Sequence, residues 1–306
     1  MLRTMQRTML RTLINSLSTI VVFLWVSLSV AQAAPTEVIV TPGNLQGWAI
    51  ANQRSDSNAQ ITGVQPRSGD GSLEFRTNFT TAGQDKVDFE LVWDPTVFPA
   101  RTLNNLSFLS YEYYRDSTGS NVAAHFHPVL RLGWYNDSGT PLNTGDDTLG
   151  FLIYEEIYQS VNPVPVDTWD INSIDFTNHN FWMYCIDCDT SAATVSGVVQ
   201  NFNTTLQNWK AGPVTGNPGD PVPPDLSQGT TYIFSVNTGI GSGWNNDVLM
   251  FVDNVHFAFG ANDDFNYNFE LKAAPRAVPL FSPLGLLALL LLLLGASRYY
   301  LNSGKH

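Results

Sequence analysis

The stretch Gly71-Ser72-Leu73-Glu74-Phe75-Arg76-Thr77 alternates apolar and polar side chains, with Leu73 and Phe75 on one face. A period of two residues is typical of a strand that packs one face against a core. A cluster of turn-forming residues, 68–71, comes directly before it. We therefore predict a strand over residues 71–77 that follows a tight turn and directs Leu73 and Phe75 inward.

Similar short runs recur along the chain, separated by turn signals rich in Gly, Asn, Asp and Ser. They lie at residues 37–40, 86–93, 106–114, 123–135, 148–158, 168–176, 181–185, 231–236 and 248–259. No rhythm of alternating strands and helices appears among them. The pattern predicts an all-β fold, an antiparallel β-sandwich of about ten strands.

Three segments depart from this pattern. Apolar residues recur at near-helical spacing within residues 196–210, which predicts one short amphipathic helix. Residues 212–225 are rich in Pro and Gly and are predicted to form a loop. Residues 262–277 are polar and are predicted to form a stalk, although residues 266–271 could first add one last strand.

The first 33 residues have the pattern of a secretory signal peptide. Three arginines fall within the first eleven positions, and residues 20–30 form an apolar run. The tripeptide Ala31-Gln32-Ala33 matches the small-residue site that signal peptidase cleaves. We therefore expect residues 1–33 to pass through the Sec translocon and to be removed, so that the mature chain begins near Ala34.

The C-terminal residues 278–306 have the pattern of a membrane anchor. No charged residue lies between Val278 and Ser297. A helix of this length spans roughly 30 Å, the thickness of a hydrocarbon core. Arg298, Tyr299 and Tyr300 then suit the interface between membrane and water. We predict a single transmembrane helix here.

The entrance to this helix resembles a bacterial sorting signal. Val278-Pro279-Leu280-Phe281-Ser282-Pro283-Leu284-Gly285 is similar to the IPTL-CTERM motif, Ile-Pro-Thr-Leu-Ser-Glu-Trp-Gly. Pro279, Ser282 and Gly285 match it, Val278 takes the place of the isoleucine, and Arg298 supplies the basic end. The tail also resembles the related PEP-CTERM signals, without their Pro-Glu-Pro. The resemblance implies recognition by an exosortase-type membrane protease.

The region between the two ends is strongly acidic. All 27 acidic residues and ten of the 15 basic ones lie in residues 34–277, which gives this region a formal charge of −17. Such a charge does not suit nucleic acid or anionic lipid as a partner. It suits an extracellular domain, predicted over residues 34–261, and Ca²⁺, which prefers carboxylate oxygens.

Two short stretches of this domain resemble a jelly roll of the galactose-binding or carbohydrate-binding-module kind. Residues 71–75 are similar to an early strand of such domains, and Phe251-Val252-Asp253-Asn254-Val255-His256-Phe257 is similar to their closing strand. The resemblance implies a structural calcium ion held by Asp70 and Asp253. The alternative is that Asp70 is a turn residue and that Asp253 pairs locally.

Tryptophans beside amide or carboxylate residues are candidates for glycan contact, because aromatic faces stack on sugars while polar groups bind hydroxyls. Trp244-Asn245-Asn246-Asp247 follows a Gly-rich loop and is the first candidate, with Trp244, Asn245 and Asp247 as ligand residues. Trp134 is the second, and Trp169 and Trp182 have similar neighbours. The alternative is that most of these tryptophans belong to the core.

Two further motifs bear on chemistry. Cys185 and Cys188 are the two cysteines of the chain, and in an exported protein we predict a local disulfide between them, ahead of a metal site or a redox pair. His125 and His127 lie two residues apart in a predicted strand and so share a face. They could begin a metal site, although a polar strand face is the commoner reason for this spacing.

No motif for catalysis occurs. The sequence has no Gly-x-Ser-x-Gly elbow, no His-Glu-x-x-His and no phosphate-binding loop. Taken together, the patterns indicate an exported, membrane-anchored surface protein that is not an enzyme and binds glycan, matrix or another envelope component. The alternatives are an anchored glycan-processing enzyme and a structural envelope protein without a ligand.

The sorting motif predicts that the tail is processed. Mass spectrometry of the mature protein should show a chain that begins near Ala34 and lacks the residues after the motif at Pro279. A mature chain that still ends at His306 would mean that residues 278–306 are a plain anchor.

Overall fold

The computed structural model describes residues 34–137, 147–159, 163–190 and 193–273. The predicted signal peptide, residues 1–33, lies outside the described residues. The sorting motif and the predicted transmembrane helix, residues 278–306, lie outside them as well. Among the described residues, no helix has both the length and the apolar character needed to cross a membrane.

The described residues are mostly β-structure, and their strands form two sheets in a sandwich-like arrangement. The strands are β1 (Thr36–Val40), β2 (Trp48–Ala51), β3 (Ser57–Thr62), β4 (Ser72–Thr77), β5 (Val87–Val92), β6 (Phe108–Arg115), β7 (Val129–Asn136), β8 (Thr148–Tyr154), β9 (Trp169–Ser173), β10 (Trp182–Thr190), β11 (Ala193–Val199), β12 (Thr231–Ile240), β13 (Val248–Ala258) and β14 (Asp264–Phe269). All ten strands expected from the sequence are present, some with shifted ends.

Each sheet has seven strands. In the first, β9 pairs with β6 and β6 with β13, and the other side of β13 is shared between β4 and β14, which pair in turn with β3 and β1. The order in the second is β11-β10-β8-β7-β12-β5-β2. The prediction of an antiparallel sandwich holds for every pair in these sheets except β1 and β14, which are parallel.

The core lies between the inward faces of the two sheets. Trp48 stacks on Phe89 at 5.6 Å between ring centroids, and the Phe269 ring meets Trp48 edge-on at 5.4 Å. Leu73 and Phe75 are both fully buried, as their alternation predicted. Burial of this apolar surface, at roughly 25 cal/mol per Å², is the main term that stabilises the sandwich.

The predicted helix over residues 196–210 is wrong for its first part. Ala193–Val199 forms β11 and pairs with β10, and the helix α1 covers Leu206–Ala211 alone. The β-branched Val198 and Val199 favour a strand. Thr205 then fixes the start of α1, because its hydroxyl accepts the backbone N–H of Asn208 at 3.2 Å.

Strand β14 takes up the first part of the range 262–277 that was predicted as a stalk. The alternative of one last strand over residues 266–271 is the better description, because Asp264–Phe269 is hydrogen-bonded to strands on both sides. The compact unit that contains the sheets ends at Leu271, so the domain extends beyond the predicted boundary at residue 261.

One side of β13 pairs first with β4 and then with β14, and a buried carboxylate lies where one partner gives way to the other. Strand β13 bonds to β4 along residues 248–252 and to β14 along residues 255–258. At the gap, Asp253 accepts the backbone N–H groups of Phe269 and Asn254, each at 2.8 Å. Its side chain therefore takes the place of backbone acceptors that the ladder lacks here.

Two more carboxylates tie the turn at residues 68–71 to the end of β14. Glu270 Oε2 accepts the backbone N–H of Gly71 at 2.9 Å, and Asp70 Oδ1 accepts that of Leu271 at 3.0 Å. We call Asp253, the turn 68–71 and residues 269–271 the carboxylate clasp. It joins the start of β4 to the last strand of the domain.

Gly71 permits the close approach in this clasp, which leads to a prediction. A Cβ atom at Gly71 would lie 2.7 Å from Leu271 N and 2.9 Å from Glu270 Cα, both backbone atoms. We expect Gly71→Ala to lower the free energy of unfolding by about 1–3 kcal/mol, since overpacking forces the backbone apart. Urea unfolding measures this. Gly229→Ala is the control, because a Cβ there has nothing within 4 Å. An equal loss in both variants would contradict this account of Gly71.

Candidate functional site

A groove of about 460 Å³ lies on the outer face of the second sheet. Strands β5, β7, β8, β10 and β11 contribute to it, together with the loop after β12. Its volume falls in the range of about 300–1,000 Å³ that is usual for ligand pockets. Two walls of different chemistry face each other across it, one aromatic and apolar and the other charged.

Cross-strand pairing builds the aromatic wall. Phe151 of β8 pairs with Tyr184 of β10, and Tyr184 pairs with Val198 of β11. In the neighbouring row Ile153 pairs with Trp182. Residues that lie directly opposite on paired strands share a face, so all five side chains point outward into the groove. Tyr184 is 36% exposed, which leaves its ring open to a ligand.

A hydrogen bond orients the tryptophan of this wall. The indole N–H of Trp182 donates to Glu155 Oε2 at 3.2 Å, and both residues line the groove. Burial raises the pKa of the Glu155 carboxyl above its usual value, although Arg131 and the indole bond oppose the shift. Trp182 thus offers its ring rather than its N–H to anything that enters.

The charged wall is centred on Asp88, which is almost fully buried. Arg131 Nη1 donates to Asp88 Oδ1 at 2.7 Å, Lys86 Nζ lies 2.9 Å from Oδ2, and Asn52 Nδ2 donates to Oδ2 at 2.8 Å. Burial alone would raise the pKa of Asp88. The charges of Arg131 and Lys86 outweigh it and hold the pKa below the usual value, so the carboxylate is ionised.

Arg131 has a second fixed contact, which sets the direction of its guanidinium. Its Nη1 also donates to Asn237 Oδ1 at 2.8 Å, on the neighbouring strand β12. The Arg131 side chain is therefore held by β5 and β12 while it projects from β7. Such a side chain loses little further freedom when a ligand binds beside it.

The loop after β12 closes one end of the groove. Trp244 lines the groove and stacks on Phe126 with 4.6 Å between ring centroids and 14° between planes. The buried Asp85 holds this loop, since its carboxylate accepts the backbone N–H groups of Gly243 at 3.2 Å and Asn245 at 2.8 Å. Trp244 is nevertheless largely buried, with 8% of its surface exposed, and it packs with the hydrophobic core, so its contact with a ligand stays a prediction.

Three other predicted glycan residues do not line the groove. Trp134 has no exposed surface, because the register of β7 directs it into the core, so its prediction as a ligand residue is wrong. Asn245 Oδ1 accepts the N–H of Gly83 at 3.2 Å, and Asp247 Oδ1 accepts that of Phe79 at 2.9 Å. Both side chains hold neighbouring loops in place.

The predicted disulfide between Cys185 and Cys188 is present, with 5.6 Å between the Cα atoms. Both cysteines are buried in the core. They bracket a bulge in β10, where the pairing register shifts against both neighbouring strands. Tyr184 and Ile186 line the groove from either side of Cys185, so the disulfide fixes the part of β10 that carries the aromatic wall.

The two residues predicted to bind calcium, Asp70 and Asp253, both meet the segment 269–271 in the carboxylate clasp. Their oxygens accept backbone N–H groups there. Burial raises the pKa of Asp253 to about 7, against the effect of three N–H donors. The described residues contain no group of three or more His, Cys, Asp or Glu that could hold a metal ion. Calcium binding stays a prediction from the sequence resemblance.

His125 and His127 do not share a strand face, because β7 begins after them at Val129. His127 is buried; its Nε2 accepts the N–H of Glu156 at 2.9 Å, and its Nδ1 lies 2.8 Å from the Tyr111 hydroxyl. Burial lowers the pKa of His127 to about 3, so the ring is neutral and both nitrogens are occupied. It supports the core rather than a metal.

Sequence reasoning missed the charged wall. Asp88 interrupts the apolar run 87–92, and Arg131 interrupts the apolar run 129–134. A charged residue inside a predicted strand is the sequence signal that could have indicated the charged wall. That signal places each residue on an outer face. It does not show that the two strands lie on either side of β12, which is what brings the charges together.

The chain matches no protein-family model, and a search of curated proteins gives no match. Conclusions about function therefore rest on the groove and on the sequence motifs.

Lys86 provides a test of the charged wall. Burial and the neighbouring Arg131 lower its pKa to about 8, against the opposing effect of Asp88. In an NMR titration of isotopically labelled lysines, the resonance that is missing from the Lys86→Arg variant should therefore titrate near pH 8. A midpoint above pH 10 for that resonance would contradict the geometry, because it would place the ammonium in water.

Proposed function

We propose that this protein is an exported surface protein whose β-sandwich binds a glycan in the groove of the second sheet. The observation that carries the proposal is the pairing of an aromatic wall with a wall of buried, fixed polar groups. A sugar ring has apolar C–H faces and a polar rim, and such a groove satisfies both at once. The charge of the whole domain argues against nucleic acid as the occupant.

The fold is consistent with this proposal. The likeness of residues 71–75 and 251–257 to a jelly roll of carbohydrate-binding modules comes from the sequence, and both stretches belong to adjacent strands of the first sheet, β4 and β13. The groove lies on the opposite sheet. The jelly-roll assignment and its structural calcium are part of the proposal.

Display at the surface is proposed from the two ends of the sequence. Residues 1–33 would direct the chain to the Sec translocon and signal peptidase. Residues 278–306 would hold it in the membrane until an exosortase-type protease recognises Pro279, Ser282 and Gly285. The ligand would then be an extracellular glycan, a matrix component or another part of the envelope.

A glycan-processing enzyme is the second candidate, because the groove contains two carboxyl groups whose pKa values are shifted in opposite directions. The pKa of Glu155 is raised and the pKa of Asp88 is lowered. Opposite shifts of this kind also occur in the acid–base pairs of glycosidases. Asp88, however, is held by three donors and is almost fully buried. We therefore propose binding without catalysis, in which case a bound oligosaccharide keeps its mass on prolonged incubation.

Removal of the aromatic wall tests the proposed function. We expect Trp182→Ala and Tyr184→Ala each to weaken binding to a glycan identified on an array by about tenfold or more, because each deletes a stacking face. Trp169→Ala is the matched control: it is a half-buried tryptophan on β9 of the other sheet. Binding unchanged in the two groove variants, or lost in all three, would contradict the assignment of the groove.

A further inference from the structure

We infer that the glycan bound by this groove carries acid groups, and that Arg54 and Lys86 recognise them. This inference rests on the proposed function and names the class of its ligand. A neutral sugar and an acidic one would use the same aromatic wall. The charged wall distinguishes them.

The described part of the chain has nine Lys and Arg residues, and three of them, Arg54, Lys86 and Arg131, line this one groove. The domain as a whole is acidic, so this concentration of positive charge is local. Elsewhere in the described residues, three cations pair one to one with carboxylates, whereas Arg115 and Lys210 donate to backbone carbonyls. The pairs are Arg67 with Glu112, Arg76 with Glu74, and Arg101 with Asp263.

The balance of charges within the groove is positive. Asp88 is shared by Lys86 and Arg131, so one carboxylate faces two cations. The exposed Arg54 adds a third cation, which donates a hydrogen bond to the backbone carbonyl of Gly83, a group without charge. Glu155 is the second carboxylate that lines the groove, so three cations stand against two carboxylates there.

Electrostatic repulsion between the cations also favours an anionic ligand. Lys86 has a lowered pKa because it is buried and lies near Arg131. An anionic group placed against Lys86 and Arg131 would relieve this repulsion, whereas a neutral hydroxyl would not. Charge-assisted hydrogen bonds from ammonium and guanidinium groups to an anion are also about twice as strong as neutral ones.

The position of Arg54 suits this role. It follows β2 at the edge of the second sheet and lines the rim of the groove, while Trp182 and Tyr184 lie across it on β10. A sugar ring stacked on the aromatic wall would direct a substituent at its edge toward the charged wall. A carboxylate or a sulfate there could accept hydrogen bonds from the fork of N–H donors in a guanidinium.

The test compares two acidic oligosaccharides, one with carboxylates and one with sulfates, with the neutral methyl ester of the first. Calorimetry with the full-length protein in detergent would use a galacturonate oligosaccharide, its methyl ester and a sulfated galactan oligosaccharide. We expect the carboxylated or the sulfated ligand to bind at least about tenfold more tightly than the methyl ester, and the advantage to shrink as salt is raised. Which of the two binds identifies the acid group.

Variants assign the effect to residues. Arg54→Gln should reduce the advantage of the charged ligand, and since Arg54 is an exposed surface residue this variant should fold; Lys86→Gln should act in the same direction. Arg76→Gln is the matched control, an arginine paired with Glu74 on the other sheet, and should leave the advantage intact. A loss equal in all three variants would overturn the assignment to the groove.

Two results would overturn the inference itself. Equal or tighter binding of the methyl ester would mean that the groove binds a neutral sugar, and the proposed function would stand without this inference. No binding of any of the three ligands, together with no binding on a glycan array, would overturn the proposed function as well.

Discussion

Each strand of the second sheet contributes side chains to both the core face and the outer face, because successive side chains point to opposite faces. On β7, Leu130, Leu132 and Trp134 are buried in the core, while Arg131 between them belongs to the groove. A slip of one residue in the pairing would exchange these faces. It would bury a guanidinium among apolar side chains and expose a tryptophan, at a cost comparable to the whole stability of the domain. The packing of the core therefore determines which side chains face the groove.

The charged wall has a cost that the core has to offset. Three charged side chains, Lys86, Asp88 and Arg131, are removed from water to a large extent, and buried ion pairs are seldom favourable compared with apolar residues of similar size. Their hydrogen bonds to one another and to Asn52 and Asn237 keep the arrangement unique. Groups held in this way are preorganised for a ligand.

Much of the fold could be predicted from the sequence, because alternation within a strand is a local property. The strand at residues 72–77 and the local Cys185–Cys188 disulfide are examples. Strands β2 and β3 were not predicted, since one is four residues long and the other, Ser57–Thr62, has few apolar residues. The groove could not be predicted, because it depends on which strands become neighbours. Trp134 shows this: it lies close to polar residues in the sequence, and the register of β7 decides that it is in the core.

The parallel pairing of β1 and β14 has a mechanical consequence. Strand β14 is bonded on one side to β1 and on the other to β13, and the chain leaves the domain just after it, at Leu271. Tension on the chain beyond that residue would pull β14 along its own axis. Both ladders would then be loaded in shear, so that many hydrogen bonds resist together and none can be unzipped singly. The last strand is thus held in the geometry that best bears traction.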